Sequence, residues 1–373
     1  MPPVFALVIT AHGYGHASRE MEVIRTLLAR TPGARAVVLS AAPEAVYRDY
    51  LGADPEAWAR VTLVPFRADV GIVQRDGLTM DREGTLRALE DAFGPDGADA
   101  DRAEATLASL LAAHRPSIVL GDIPPVAFAA AAQIGVPSVA VSNFDWAWIY
   151  GSYAERDPAF APWQRLCARW QSQATVAVHL DPGPPLTAFS RVVEGGLLAR
   201  ELRVDTAGIL AGLAVPAGHR AVLASFGGHG LHDAGRRIPV VPGVTWILAE
   251  PMEDLGRPDT RFARGVPYLA LLAACDAVFT KPGYGIVSEA ARHRTRLLYT
   301  DRGDFPEYPW LVRWMHEHIP AAYVPSAELG TARGGELVKA ALEDLFAQPP
   351  RWPDGAEGAT RVAEVVEGLL GDR

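Results

Sequence analysis

Twice along this chain, short runs of aliphatic and β-branched residues alternate with stretches of helical periodicity. That double alternation restricts the fold more than any other feature. The first series runs through Val4 to Thr10, Ala34 to Ala41, Val61 to Phe66, Ser117 to Ile123, Ser138 to Phe144 and Ala174 to Leu180. The second runs through Ala221 to Phe226, Val244 to Ala249, Ala277 to Thr280 and Arg296 to Thr300. Helical segments lie between them; in Glu20 to Ala29, for example, Met21, Ile24, Leu27 and Leu28 recur on one face. Apolar runs this short, separated by helices, make parallel strands buried on both faces. The expectation is α/β: two Rossmann-like, doubly wound domains, residues 1–200 and 201–373. The junction is placed in the strand-poor stretch from Phe189 to Gly218, which contains Gly195-Gly196. A length of 373 residues supports the division, because single cores stop growing at roughly 250–300 residues. The last segment, Gly358 to Leu370, is amphipathic and free to pack back on the first domain. Open sheets of this kind bind ligands outside the carboxyl ends of their strands. The glycine-rich turns after the first strand of each half, and after the Ala277 strand, are therefore expected to face a common cleft.

Composition narrows the function classes. A net charge of −9 argues against a general nucleic-acid binder. Two cysteines, Cys167 and Cys275, are too few for a disulfide framework or a cysteine-built zinc site, and their apolar surroundings predict buried free thiols. The N-terminus has no basic leader, and no apolar run reaches the ~18 residues of a membrane span. A cytoplasmic protein is expected. No His-x-x-x-His or carboxylate cluster has metal-ligand spacing, so neither a metal nor a cofactor is expected.

Three turns carry chemistry. The first, Ala11-His12-Gly13-Tyr14-Gly15-His16-Ala17-Ser18-Arg19, joins the first strand to the first helix. Its glycines allow close backbone approach, and its histidines can exchange protons near neutral pH. It lacks the third glycine of a dinucleotide fingerprint, since Ser18 stands there, and no Gly-Lys-Ser/Thr follows. The second turn, Ser225-Phe226-Gly227-Gly228-His229-Gly230, offers backbone N–H groups to phosphate oxygens. The third, Lys281-Pro282-Gly283-Tyr284-Gly285-Ile286-Val287-Ser288-Glu289-Ala290, is the strongest. A strand ends, two glycines open the turn, and a helix start suited to a diphosphate follows, with Glu289 placed to bind a ribose diol. The competing reading of Glu289 is a solvated acid on a helix face. Asp301 to Glu307 adds three acids and Arg302 in one loop, where Asp304 and Glu307 are equivalent candidates for sugar hydroxyls. Asn143 and Asp145, at a strand end, are the acceptor-side candidates of the first half. Trp146, Trp148 and Tyr150 suit an aromatic platform but suit a core better. The segment Arg67 to Thr79, with Asp69 in it, reads as an irregular polar connection, and Asp122 closes the fourth strand.

Taken together, these motifs resemble a GT-B glycosyltransferase. They are most similar to the glycosyltransferase-like N-terminal region of plant-type L-arabinokinases and its free-standing bacterial relatives. The matching pieces are His12 to Arg19, Val141 to Trp146 with Ile149-Tyr150, Phe226 to Gly228, Lys281 to Ala290, and Asp301-Arg302 through Phe305, Glu307, Pro309 and Leu311. A more distant resemblance is to the transferase that adds N-acetylglucosamine to the peptidoglycan lipid intermediate. The resemblance implies transfer of a sugar from a nucleotide donor, with UDP the expected nucleotide, to a hydroxyl acceptor that is a small molecule, a glycan or lipid-linked. It implies His16 as catalytic base of an inverting, metal-independent reaction. Gly227, Gly228, Lys281, Gly283, Tyr284, Gly285, Ser288, Glu289, Asp304 and Glu307 fall on the donor side. His12, Gly13, Tyr14, Gly15, Asn143 and Asp145 fall on the acceptor side. Two other functions are compatible with the same architecture, a nucleotide-sugar-binding module without catalysis and a nucleotide-sugar epimerase. The sequence leaves the oligomeric state open.

Overall fold

The computed structural model describes residues 2–10, 14–52, 54–75, 79–226 and 237–371. The chain divides into two compact units. One holds Met1–Val73, Asp81–Arg200 and Ala356–Arg373, and the other holds Gln74–Met80 and Glu201–Gly355. The last helix, which the sequence leaves free to pack back on the first domain, belongs to the first unit.

The first unit is built on seven parallel strands: β1 (Val4–Ile9), β2 (Arg35–Ser40), β3 (Val61–Pro65), β4 (Ile118–Asp122), β5 (Ser138–Ser142), β6 (Val176–Asp181) and β7 (Val192–Leu197). Their order is β3-β2-β1-β4-β5-β6-β7. All six residues of β1, and all five of β4 and of β5, are buried, as continuous aliphatic runs at the centre of a covered sheet must be. The chain builds outward from β1 in one direction and then resumes on its other side with β4. The switch point of the sheet thus lies between β1 and β4, where Leu7 pairs with Leu120 and Ile9 with Asp122.

Helix Gly358–Gly371 closes this unit. Its Val362, Ala363 and Val366 enter the same core as Ile24, Leu27 and Leu28 of the first helix, together with Leu198. Arg30, at the end of the first helix, holds Glu367 through two hydrogen bonds of 2.8 and 2.7 Å. Gly358 allows the approach, since a Cβ there would lie 2.7 Å from Leu198 Cβ. The periodicity of this helix demanded an apolar partner, and the first helix supplies it.

The second unit repeats the plan with six parallel strands: β8 (Arg220–Ala224), β9 (Val244–Leu248), β10 (Thr260–Phe262), β11 (Ala277–Thr280), β12 (Arg296–Tyr299) and β13 (Ala321–Tyr323). Their order is β10-β9-β8-β11-β12-β13, so the switch point lies between β8 and β11. Trp246, Phe279 and Leu298 sit in its core. Cys167 and Cys275 are free and buried. Among the described residues no helix is long and apolar enough to cross a membrane.

Candidate functional site

The two switch points concentrate the polar residues of interest. In the first unit, helix Tyr14–Arg30 starts just after β1 and carries His16 and Arg19 three residues apart, hence on one face. Both reach the last residue of β4. Asp122 has no exposed side-chain surface, and His16 Nδ1 lies 2.8 Å from its Oδ1 while the ring keeps 12% exposure. Arg19 Nε donates to Asp122 Oδ2 at 2.6 Å, and Arg19 Nη2 also donates to Oδ1. Arg19 Nη1 donates to Asn143 Oδ1. Asn143 follows β5 and is anchored in turn, its amide donating to the carbonyls of Leu180 (3.1 Å) and Pro182 (2.9 Å). A continuous network therefore runs from the end of β6 through Asn143, Arg19 and Asp122 to His16.

Charge follows from this geometry. Burial alone would raise the Asp122 pKa, but the Arg19 guanidinium and His16 outweigh it and bring the carboxyl down to about 2. Asp122 is then an acceptor only, so His16 meets it through Nδ1–H. A buried carboxylate that fixes the tautomer of a partly open imidazole is the arrangement a general base requires. Neighbouring Glu20 is buried beside this carboxylate, and desolvation together with the Asp122 charge raises its pKa well above the ordinary value.

The other acceptor-side residues divide. His12 and Gly13 lie outside the described residues, as do Gly227 and Gly228 on the donor side. Tyr14 begins the first helix, and Gly15 is exposed, with no non-neighbouring heavy atom of the described residues within 4 Å of a Cβ built there. Asn143 supports Arg19 from a buried position. Asp145 is corrected: rather than facing a ligand, it is wholly buried and caps helix Trp146–Ala154. Its Oδ1 accepts from Trp148 N at 2.6 Å, and its Oδ2 accepts from Thr187 N and Ala188 N at 2.9 and 3.3 Å. Trp146 and Tyr150 stack at 5.5 Å inside the core, and Tyr150 donates to the Gly71 carbonyl at 3.1 Å. They pack on protein and offer no open platform.

In the second unit, β11 ends at Thr280 and helix Tyr284–His293 begins after Gly283, whose backbone is extended. The first helical bond is Val287 N to Gly283 O at 3.0 Å, and no side chain caps the end among the described residues. The first-turn N–H groups and the positive end of the helix dipole thus lie at the switch point. Lys281, Gly283 and Gly285 are partly exposed there, and Tyr284, Ser288 and Glu289 are buried. Burial to 6% exposure excludes the reading of Glu289 as a solvated acid.

The following loop is tied to this turn by Arg302. Its Nη1 donates to the Pro282 carbonyl at 2.8 Å, and its Nη2 lies 3.6 Å from Glu307 Oε1. The loop's three acids are now distinct. Asp301 accepts from the Tyr323 hydroxyl and from Ser326 N, which spends it on closing the loop. Burial would raise its pKa, but these bonds lower it. Asp304 is exposed. Glu307 is buried, and its Oε2 has no hydrogen-bond partner among the described residues.

Two residues of the first network carry no assigned role in the motif reading, Arg19 and Asp122. Topology could have signalled Asp122, because a carboxylate ending the fourth strand of such a sheet stands at its switch point. Asp69 gave no sequence signal at all.

Comparison with known proteins accords with this architecture. No family model matches the chain. It is 30% identical over 318 residues to L-arabinokinase of Arabidopsis thaliana, an alignment covering 83% of this chain and 29% of that enzyme. The chain thus spans less than a third of the length of that relative. Among solved structures, the glycosyltransferase of kitacinnamycin superposes with a TM-score of 0.65 at 18% identity, over 99% of this chain and all of that one. UGT89C1 of Arabidopsis thaliana, in its complex with UDP, gives 0.62 at 16% identity, over 99% of this chain and all of that one. CalG4, the calicheamicin glycosyltransferase, gives 0.59 at 16% identity, over all of this chain and 99% of that one. The fold is the GT-B fold of these proteins.

Proposed function

We propose that this GT-B-fold chain, similar over most of its length to part of an L-arabinokinase, transfers a sugar from a UDP-linked donor to a hydroxyl acceptor. The observation that carries the reading is the 2.8 Å pair of His16 and buried Asp122 at the switch point of the first sheet. The acceptor belongs to the first unit and the donor to the second. His16 Nε2 takes the acceptor's hydroxyl proton as its oxygen attacks the anomeric carbon. The bond from that carbon to the diphosphate oxygen breaks, and the sugar is delivered with inversion. Asp122 holds the ring and stabilises the imidazolium that forms, and Arg19 and Asn143 hold Asp122. The departing diphosphate gathers charge, which the open start of helix Tyr284–His293 and Lys281 are suited to receive. Gly283 and Gly285 let the backbone approach it; Gly227 and Gly228 are the further donor-side candidates of the motif reading. Ser288 lies on the diphosphate side, Glu289 takes the ribose diol, and Glu307 the sugar hydroxyls. No metal or cofactor enters this scheme, because the helix end and Lys281 supply the positive charge.

A screen of nucleotide sugars tests the reading. A true donor at a hundredfold excess over its Kd adds about 2.7 kcal/mol to stability, and with a hydroxyl acceptor it is consumed in excess EDTA. Stabilisation without consumption by any acceptor would assign a binding module instead. Interconversion of the donor without an acceptor, seen by NMR, would assign an epimerase.

A further inference from the structure

The connection after β3 carries a buried carboxylate for which the His16 reaction has no use. Asp69 is 7% exposed. Thr10, the residue that follows β1, donates its hydroxyl to Asp69 Oδ1 at 2.8 Å and so fixes the orientation of the carboxyl. The other oxygen, Oδ2, is buried and has no hydrogen-bond partner among the described residues. Thr10 is itself bound to the end of β4, its N–H donating to the Asp122 carbonyl at 2.8 Å. Asp69 therefore stands at the same sheet end as the His16–Asp122 pair. The two carboxylates of this region are opposites. Arg19 and His16 fill the oxygens of Asp122, whereas Asp69 has one buried oxygen that makes no hydrogen bond among the described residues, at the desolvation cost of an unmade bond.

We propose that Asp69 is an acceptor-binding residue whose buried, unpartnered oxygen takes a hydrogen bond from a second hydroxyl of the acceptor, which is accordingly a polyol of the sugar class. The inference rests on the glycosyltransferase reading and deepens it. His16 Nε2 and Asp69 Oδ2 both accept hydrogen bonds, so a molecule that meets both must offer two donors. A monohydroxylated aromatic or a lipid alcohol offers one. The nearby rings of Phe144, Trp146 and Tyr150 pack on one another in the core and provide no surface for such a molecule. The charge state adds a handle. Burial raises the Asp69 carboxyl to about 6, against the opposing effects of the Thr10 hydrogen bond, His16 and Arg67, with Asp122 acting in the same direction as burial. Tyr150 and Cys167 are the other titratable groups that feel it.

The test measures binding of free pentoses and hexoses, with their single-deoxy analogues, by saturation-transfer NMR without donor. Wild-type protein is expected to bind at least one sugar and to discriminate against one deoxy analogue. Asp69→Asn should weaken that sugar at least tenfold and abolish the discrimination. Its single oxygen stays with Thr10 and its amide nitrogen cannot accept. Thr10→Val, which keeps the carboxylate but loosens it, should give an intermediate loss. Wild-type affinity should fall more steeply than that of Asp69→Asn as pH drops through about 6. The proposal is overturned if no pentose or hexose binds, or if Asp69→Asn stays within twofold of wild type. It is overturned with the glycosyltransferase reading intact if a UDP-sugar is consumed only with monohydroxylated acceptors. Discrimination that depends on Asp69 without any sugar transfer would instead break that reading and leave the Asp69 site standing.

Discussion

The two units use the same topology to build opposite kinds of site. At the β1/β4 switch point, chemistry comes from side chains: His16, Arg19, Asp122 and Asn143 form one buried network of ion pairs and hydrogen bonds. At the β8/β11 switch point it comes mainly from backbone, through the start of helix Tyr284–His293, which no side chain caps among the described residues, with Arg302 stitching the adjoining loop to the Pro282 carbonyl. Under the proposed function, the difference matches a separate task for each sheet end. Moving a proton requires a lone pair with a fixed tautomer, and only side chains provide one. Holding a diphosphate requires several N–H donors in fixed positions, and a helix start provides them, with Lys281 beside it.

The sharpest way to break this division is His16→Ala. It should lower kcat by about 10²–10⁴, the usual share of a general base, and leave nucleotide affinity unchanged. Steady-state kinetics beside calorimetric titration with UDP would show it; equal loss in both would refute the division.

Asp122→Asn should act on stability as well as rate. It leaves the Arg19 guanidinium buried without its counter-charge, which costs roughly 3–5 kcal/mol. The sign of the pH dependence follows from the lowered carboxyl. Its stabilisation is complete above the unfolded value, 3.8, and is lost as pH falls through about 2. Denaturant unfolding of the two proteins should therefore differ most at neutral pH and converge between about pH 4 and 2. A gap that persists in acid would mean that packing, not charge, accounts for the loss.

How much of this could be read from sequence depended on distance along the chain. Ten of the thirteen strands among the described residues were legible because periodicity is local, whereas β7, inside the stretch read as strand-poor, and the three-residue β10 and β13 were not. The Lys281 to Ala290 turn was legible because strand end, glycines and helix start are contiguous. The first network was half legible. His16 and Arg19 share a turn, but Asp122 lies 103 residues from Arg19, and only the strand order brings them together. Asp69 meets Thr10 across 59 residues from an irregular segment with no periodicity to place it. Asp145 misled for a different reason: an acid at a strand end resembles a ligand group, yet here it begins a helix and its oxygens go to backbone N–H groups. The last helix announced that it needed a partner but not which one, since amphipathicity specifies a face and leaves the neighbour open.

Gly283→Ala probes the backbone site from the other side. Gly283 is extended, with φ of −151°, a conformation open to any residue. The only close neighbour of a Cβ there is Arg302 Nη1 at 3.4 Å, among the described residues. The fold should accept the methyl within about 0.5 kcal/mol. A diphosphate seated on the helix start should not, and donor KM is expected to rise about tenfold, or about 1.4 kcal/mol, with kcat nearly unchanged. An unchanged KM would move the donor away from this turn and undo the contrast between the two switch points.

The smallest expected effect separates two acids that sequence alone left equivalent. Glu307 is buried with one oxygen unpartnered among the described residues and Arg302 3.6 Å from the other, whereas Asp304 is exposed. A buried acceptor gains a full hydrogen bond from a sugar hydroxyl, because it has no water to give up; an exposed one exchanges water for sugar at little gain. Glu307→Gln should therefore raise donor KM by about fivefold, near 1 kcal/mol, and Asp304→Asn by less than about twofold. The comparison is made with the intact nucleotide sugar against the nucleoside diphosphate alone. If Glu307→Gln weakens both equally, Glu307 acts on the turn through Arg302 and not on the sugar. If Asp304→Asn has the larger effect on the sugar alone, the loop must rearrange on binding to bring Asp304 inward, and the second switch point would be less preformed than the first.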